Sequence, residues 1–107
     1  MNPGRKKDKN SSIEAMEKNS KKAEAMLKIL ANSKRLMILC HLLKTEKTVT
    51  DLSSLVRLSQ SALSQHLAKM RALDLVETNK VGQEVFYRIE SQEVEAILST
   101  LYLIYCK

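Results

Sequence analysis

Apolar residues recur at spacings of three and four along most of the chain, which is the pattern of helices with one buried side. This pattern predicts a long first helix from Ser11, where Glu14 completes a capping box, to Leu30. Ser33 is a candidate cap for a second helix, which is apolar over much of its circumference and continues to Leu43. The chain is therefore expected to be mainly α.

Two short helices joined by a turn are predicted next. Thr50 opens a brief helix that ends near Arg57, and Ser59 caps a further helix that continues through Leu73. Two short helices joined by a turn of about three or four residues form a helix-turn-helix unit, whose second helix enters the major groove of DNA. The helix after Ser59 is therefore the candidate recognition helix.

The polar side of this candidate recognition helix contains no carboxylate. It carries small or amide side chains and one lysine, with a histidine at its margin: Gln60, Ser61, Ser64, Gln65, His66, Ala68 and Lys69. Glutamine can bond adenine through two hydrogen bonds, serine can donate to a base or a phosphate, and small residues allow close approach. This composition favours DNA over a merely solvated surface. For His66, packing at the edge of the core and a phosphate contact are equally open.

Alternating apolar residues then predict a hairpin with its turn around Lys80 to Gln83, where Gly82 supplies the positive φ. A hairpin that directly follows a recognition helix is the wing of a winged helix-turn-helix. Lys80, Gln83 and Arg88 place hydrogen-bond donors where DNA would lie, although charges on a hairpin are equally often only solvated.

Length and charge narrow the choice of partner. The 107 residues suffice for one small domain, and 18 Lys plus Arg against 12 Asp plus Glu give a net charge of +6, which favours nucleic acid as partner. A chain of this size buries only about two-thirds of its unfolded surface, and the last helix, from Ser91, is apolar over most of its surface. We therefore expect a homodimer.

The N-terminal segment, residues 1–10, is rich in Lys and Arg and is predicted to be a disordered basic tail before a domain of residues 11–107. A solubilising tail and an arm that contacts phosphate are equally open. The charged N-terminus lacks the apolar run of a signal peptide, and no stretch of the chain is apolar enough to span a bilayer. The expected location is the cytoplasm.

Only two cysteines, Cys40 and Cys106, occur in the chain, which is too few for a disulfide framework. They and His41 and His66 lack the spacing of a metal motif, so neither a metal nor another cofactor is predicted. A thiol oxidoreductase would need a Cys-x-x-Cys motif at a helix N-terminus, so no enzyme is predicted. A protein-binding winged helix would favour apolar residues on the recognition face. From this chemistry alone, a sensing thiol pair and idle thiols are equally open.

The run from Leu58 to Arg71 closely resembles the recognition helix of the ArsR/SmtB family of bacterial repressors, and the resemblance extends through Leu30–Leu36 and Val76–Ile89. It implies a homodimeric winged helix of four helices, a hairpin and a fifth helix, paired through the terminal helices on an inverted-repeat operator. Most members sense metals. Here Thr48–Leu52 stands where metal sensors carry a cysteine motif, and the last helix has no histidine.

The segments around Cys40 and Cys106 resemble the subgroup of BigR, SqrR and HlyU, repressors that respond to persulfides and related reactive sulfur species. This resemblance implies that the two cysteines lie close together in one subunit and that their oxidation releases operator DNA. We expect His41, Lys44 and Lys107 to favour a thiolate in this pair. The alternative is a regulator, including a virulence-gene regulator, whose inducer is another oxidant or a metal. The oxidised link between the two cysteines is either a disulfide or a polysulfide.

Overall fold

The computed structural model describes the backbone of residues 3–106 and the side chains of residues 12–106. Within this part of the chain it contains five helices and three strands in one winged-helix arrangement, which confirms the predicted fold class. The elements are α1 (Pro3–Leu30), α2 (Ser33–Leu42), β1 (Lys47–Thr48), α3 (Val49–Val56), α4 (Gln60–Ala72), β2 (Val76–Val81), β3 (Glu84–Ile89) and α5 (Gln92–Tyr105). None of the helices in the described residues has the length and apolar character needed to cross a membrane.

Helix α1 begins earlier than the sequence predicts. Its backbone is helical from Pro3 onward, so the predicted start at Ser11 is wrong. Proline suits the first helical position because its φ is already helical and its missing N–H has no partner to lose there. The side chains of residues 1–11 lie outside the described part, so the role of the basic segment stays a prediction.

Helices α2 and α3 are capped one and two residues before the predicted positions. Asn32, and not Ser33, caps α2 by accepting a hydrogen bond from the Arg35 N–H at 3.0 Å. Thr48, and not Thr50, caps α3. A cap needs extended backbone just before the helix, and this conformation is set by the preceding loop as much as by the side chain. The predicted cap Ser59 of α4 is confirmed, and so is the predicted start of the last helix at Ser91, which caps α5.

The turn between α3 and α4 consists of residues 57–59 and confirms the predicted helix-turn-helix unit. Arg57 ends α3 in the left-handed conformation, with φ 57°. The Lys34 ammonium on α2 donates to the carbonyl of Val56 at the end of α3, with a distance of 3.0 Å. This contact attaches the last turn of α3 to α2. The unpaired carbonyls at the C-terminus of a helix attract a cation.

The wing is the predicted hairpin of β2 and β3, and Gly82 in its turn has φ 63°. The sheet has one more strand than predicted, because Lys47 and Thr48 of β1 pair with Tyr87 and Phe86 of β3. A strand of two residues is too short to show alternation in the sequence. Its pairing attaches the wing to the chain that leads from α2 into α3.

One apolar core receives side chains from all five helices and from β2. Its buried residues are Leu30, Ile38, Leu39, Leu42, Leu52, Val56, Leu63, Leu67, Met70, Leu75, Val76, Val94 and Leu98. Both α1 and α5 leave large apolar side chains exposed in the single chain. They are Ile13, Met16 and Leu27 on α1 and Tyr102, Leu103, Ile104 and Tyr105 on α5.

Candidate DNA-binding face and cysteine pair

The orientation of α4 is set by its apolar side. Leu63, Leu67 and Met70 recur at spacings of four and three, and each is 0% exposed. The opposite side is therefore turned to solvent, and the structure brings the predicted polar residues together there, all exposed: Gln60, Ser61, Ser64, Gln65 and Lys69. Helix α4 contains no acidic residue, so this face has no carboxylate of its own to repel phosphate.

Gln60 at the start of α4 has a neighbour that the sequence analysis missed. Its side-chain amide nitrogen lies 3.4 Å from the hydroxyl of Thr50 on α3. This distance is at the long end for a hydrogen bond, so the contact guides the amide more than it fixes it. The carbonyl oxygen of Gln60 stays available as an acceptor. A contact between residues ten positions apart leaves no periodic signal in the sequence.

His66 lies half-buried at the margin of the face. Its Nδ1 is 3.4 Å from an Nη1 of Arg35 on α2. Loss of water around the ring lowers the pKa of His66, and the positive charges of Arg35 and Lys69 lower this pKa further. The neutral imidazole is therefore favoured. The phosphate contact of His66 stays a prediction. Within the fold, the neighbour of the His66 ring is Arg35.

The three predicted donors of the wing differ in their surroundings. Lys80 and Gln83 are exposed beside its turn. Arg88 lies nearer the base and forms an ion pair with Glu77 across the hairpin, and its Nη1 is 3.8 Å from the carboxylate of Glu46. Arg88 is thus engaged with two carboxylates in place of the free donor that the sequence predicted. Its phosphate contact stays a prediction, and DNA would have to compete with these pairs.

The two cysteines lie at the ends of two different helices. Cys40 lies near the end of α2, and Cys106 directly follows α5, where its N–H donates to the Tyr102 carbonyl at 2.8 Å. Both are exposed free thiols. Surrounding atoms still remove enough water to raise the pKa of Cys40, and the negative charge of an ionised Cys106 raises this pKa further. The two thiols are therefore within electrostatic reach of each other.

The prediction that cationic neighbours favour a thiolate does not hold at Cys40. The pKa of Cys40 is raised, because desolvation penalises the thiolate and the charge that acts on it is the negative one of Cys106. Neither His41 nor Lys44 is a cause of the shift, and Lys107 lies outside the described residues. A cation in the neighbouring sequence lowers a thiol pKa only if folding places it against the sulfur.

A metal site does not emerge from the same residues. Across the part of the chain that the structure describes, no three His, Cys, Asp or Glu side chains come together in a group that could hold a metal ion. The thiol pair alone supplies two of the four ligands that a structural zinc site takes.

A helix-turn-helix unit with an exposed polar recognition helix, followed by a hairpin wing, defines a winged-helix DNA-binding protein. Residues 32–78 match the family described as bacterial regulatory protein, arsR family. HlyU of Vibrio cholerae, described as a transcriptional activator, is 53% identical over 95 residues, which are 89% of this chain and 88% of HlyU. The chain belongs to the ArsR family of bacterial regulators. It is a DNA-binding transcriptional regulator and not an enzyme.

Solved structures agree with this assignment. Reduced HlyU from Vibrio cholerae gives a TM-score of 0.82 at 54% identity, covering 87% of this chain and 98% of that one. The repressor BigR from Xylella fastidiosa gives 0.79 at 33% identity, covering 88% and 96%. Mb0332 from Mycobacterium bovis, described as a homodimeric winged helix-turn-helix domain and possible ArsR-family regulator, gives 0.70 at 26% identity, covering 77% and 76%.

The interaction between the thiols predicts a measurable effect on Cys40. Replacing Cys106 by Ser removes one of the two causes that raise the pKa of Cys40, so Cys40 should react with iodoacetamide at lower pH than in the wild type. Mass spectrometry of the alkylated peptides over a range of about pH 7 to 10 gives the profile. Lys44→Gln is the control and should leave the Cys40 profile unchanged. Superimposable Cys40 profiles in wild type and Cys106→Ser would contradict the interaction.

Proposed function

We propose that this chain is a homodimeric transcriptional repressor that releases its operator when reactive sulfur species oxidise Cys40 and Cys106. The observation that carries the proposal is a pair of free, exposed thiols, one near the end of α2 and one directly after α5, and the charge of Cys106 is among the causes that raise the pKa of Cys40. Two thiols of this kind can react with each other and thereby join the two helices. The site of action is the cytoplasm, because the operator DNA lies there.

The chemistry needs no oxidant beyond a persulfide. A cysteine thiolate attacks the sulfane sulfur of a persulfide RSSH, which yields a protein persulfide and releases the thiol RSH. The second cysteine then attacks the sulfur bound to the protein and releases H₂S, which leaves a disulfide. The two thiols lose two electrons, and the sulfane sulfur gains them. If both cysteines carry persulfides, their condensation with loss of H₂S leaves a trisulfide.

The first attack is assigned to Cys106. The raised pKa of Cys40 reduces its thiolate fraction at neutral pH and makes it the poorer first nucleophile. Cys106 is exposed just beyond α5, where a small donor can reach its sulfur. Cys40 then acts as the resolving thiol, for which proximity to the persulfide compensates a low thiolate fraction.

A bond between Cys40 and Cys106 would join α2 to the end of α5. Helix α2 is attached to the helix-turn-helix unit through the contact of Lys34 with the Val56 carbonyl, and α5 belongs to the proposed dimer interface. The link therefore connects the dimer interface to the DNA-reading unit. Two recognition helices must lie about 34 Å apart to fit one turn of DNA, so a small reorientation weakens binding.

The test of the switch uses serine variants and a duplex selected from a random pool with the reduced wild type. Cys40→Ser and Cys106→Ser should bind this duplex like the reduced wild type, because neither residue belongs to the DNA face. Glutathione persulfide should weaken wild-type binding by a few kcal/mol, the scale of allosteric coupling, and leave both variants unaffected. Binding by fluorescence anisotropy, with intact mass spectrometry, gives occupancy and oxidation together. A single variant released as fully as the wild type would refute the dithiol mechanism.

The same assay separates the inducers. Hydrogen peroxide in place of the persulfide tests the alternative of a peroxide sensor, and Zn²⁺ added to the reduced protein tests a metal sensor. Release by peroxide at lower concentration than by persulfide would favour the first alternative. Release by Zn²⁺ that persists in both serine variants would favour the second. A virulence-gene regulator is defined by the genes that it controls, so this alternative is compatible with each of these inducers.

Homodimerisation through α1 and α5 is proposed from their uncovered apolar surface. Met16, Ala23 and Leu27 line a shallow, almost wholly apolar groove along α1. On α5, Leu103 is 76% exposed and Tyr105 is 77% exposed. Large apolar patches of this kind mark interaction sites in soluble proteins. The homodimeric relative Mb0332 supports a second copy of the chain as the occupant.

A pair of leucine variants tests this interface. Leu27 on α1 and Leu55 on α3 are similarly exposed, at 52% and 46%. Leu27→Glu places a charge in the proposed interface and should shift the protein to monomer at micromolar concentration, because a buried unpaired charge is costly. Leu55→Glu should stay dimeric. Light scattering coupled to size-exclusion chromatography measures both, and a dimeric Leu27→Glu would count against α1 as part of the interface.

For DNA recognition we propose a division between base contacts and phosphate contacts. The exposed amides and hydroxyls of α4 match base edges in the major groove. The cations, which carry no base pattern, match phosphates. Bases are assigned to Gln60, Ser61, Ser64 and Gln65, and phosphates to Lys69, Lys80 and Arg88, while both roles of His66, packing and a phosphate contact, stay open.

Two neighbouring α4 variants test this division. Gln65→Ala should cost about 1–3 kcal/mol on the selected duplex, lose discrimination at one base pair and change binding to random DNA little. Lys69→Ala should weaken both duplexes to a similar extent and lower the salt slope of binding by about one. Anisotropy titrations at several salt concentrations give both quantities. Equal losses on selected and random DNA for Gln65→Ala would exclude its role in base reading.

A further inference from the structure

Arg35 lies where three helices meet. Its Nε donates to the carbonyl of Ile29 near the end of α1 at 2.7 Å, and its Nη1 is 3.4 Å from Nδ1 of His66 on α4. Its backbone N–H donates to the side chain of Asn32, the cap of α2. One half-buried guanidinium therefore connects α1, α2 and α4.

The contact with α4 defines the state of the histidine. A guanidinium only donates hydrogen bonds, so the bond requires a lone pair at Nδ1 of His66 and places the ring proton of the neutral form at Nε2. A protonated His66 has no lone pair and cannot accept this bond. The contact is thus compatible with neutral His66 only.

The position of His66 determines which movement of α4 the contact opposes. The buried side chains Leu63 and Leu67 anchor the line along α4 that faces the core. His66 lies at the margin of the polar face, to the side of that line, where a contact opposes rotation of the helix about its own axis. Such a rotation would displace Gln65 from the base that it reads while leaving the core largely packed.

We propose that Arg35 is a positioning residue for DNA recognition, which biases the rotation of α4 through its contact with His66 while it is bound to the end of α1. This inference rests on the proposed role of α4 in reading bases and is independent of the cysteine switch. Arg35 itself is not assigned a contact with DNA.

The two possible roles of His66 respond to acid with opposite sign. The charged groups that act on His66 are Arg35 from α2 and Lys69 from α4 itself, both cations, and they contribute to its lowered pKa together with burial. Protonation would break the Arg35 contact and add repulsion, so positioning predicts weaker binding to the selected duplex at low pH. A direct phosphate contact predicts stronger binding, because the protonated ring attracts the backbone.

The test measures anisotropy with the reduced protein, the selected duplex and a random duplex at constant salt, from about pH 7.5 to about pH 4.5, because the lowered pKa of His66 places its titration below the ordinary range of histidine. On acidification, the ratio of the two affinities should fall about three- to tenfold for the wild type, the range of a contact pair. His66→Asn places an acceptor oxygen near the position of Nδ1 and does not titrate. It should keep the ratio seen at about pH 7.5 and give a flat profile.

Arg35→Met removes both side-chain bonds and should show the reduced ratio at every pH. Lys34→Met is the matched control, because the Lys34 ammonium bonds the Val56 carbonyl and not His66, and it should keep the wild-type pH profile. If Arg35→Met does not fold by circular dichroism, the contrast between wild type and His66→Asn decides the matter.

A wild-type ratio that stays constant or rises on acidification overturns the proposal, as does a His66→Asn profile that follows the wild type. Gln65→Ala separates this failure from failure of the proposed DNA contacts. If Gln65→Ala loses discrimination while the pH profiles are flat, only the positioning role fails. If Gln65→Ala keeps discrimination, base reading by α4 fails, and the positioning role falls with it.

Discussion

The burial of one side of α4 is the constraint on which the rest of this molecule depends. Leu63, Leu67 and Met70 are completely buried, and each contributes about 1.5–3 kcal/mol relative to exposure. A hydrogen bond contributes about 1 kcal/mol net, so the core decides which side of α4 faces outward. The polar face is then available to DNA without any further cost. Lateral contacts such as that of Arg35 act as fine adjustment on a helix whose inner side is already determined.

Helix α2 contacts three other helices of the scaffold, α1, α3 and α4. Its buried side chains Ile38, Leu39 and Leu42 belong to the core, and its exposed or half-buried polar groups reach other elements. Lys34 bonds the end of α3, and Arg35 joins α1 to α4. Cys40 sits on the same short helix. The proposed bond at Cys40 would therefore act on the element that carries both links to the recognition unit.

The ion pairs of Arg88 in the wing are compatible with its proposed phosphate contact. Its partners Glu77 and Glu46 are solvent-accessible, and ion pairs at the surface contribute only about 0–1 kcal/mol. A phosphate can therefore displace them at small cost. The wing itself is held by backbone pairing of β3 with β1 and β2, so its position does not depend on these charges. The net charge of +6 attracts DNA at long range.

The sequence by itself determined the helices with their buried sides, the hairpin turn at Gly82, the caps at Ser59 and Ser91, and the polar composition of the α4 face, because each is encoded by residues a few positions apart. Tertiary structure alone decided the features that depend on distant residues. They are the pairing of β1 with β3, the contact of Arg35 with His66, the ion pairs of Arg88 and the raised pKa of Cys40. Cationic neighbours in sequence suggested the opposite shift for Cys40. The fold reversed it, since desolvation and the nearest charge depend on which side chains packing brings together in space.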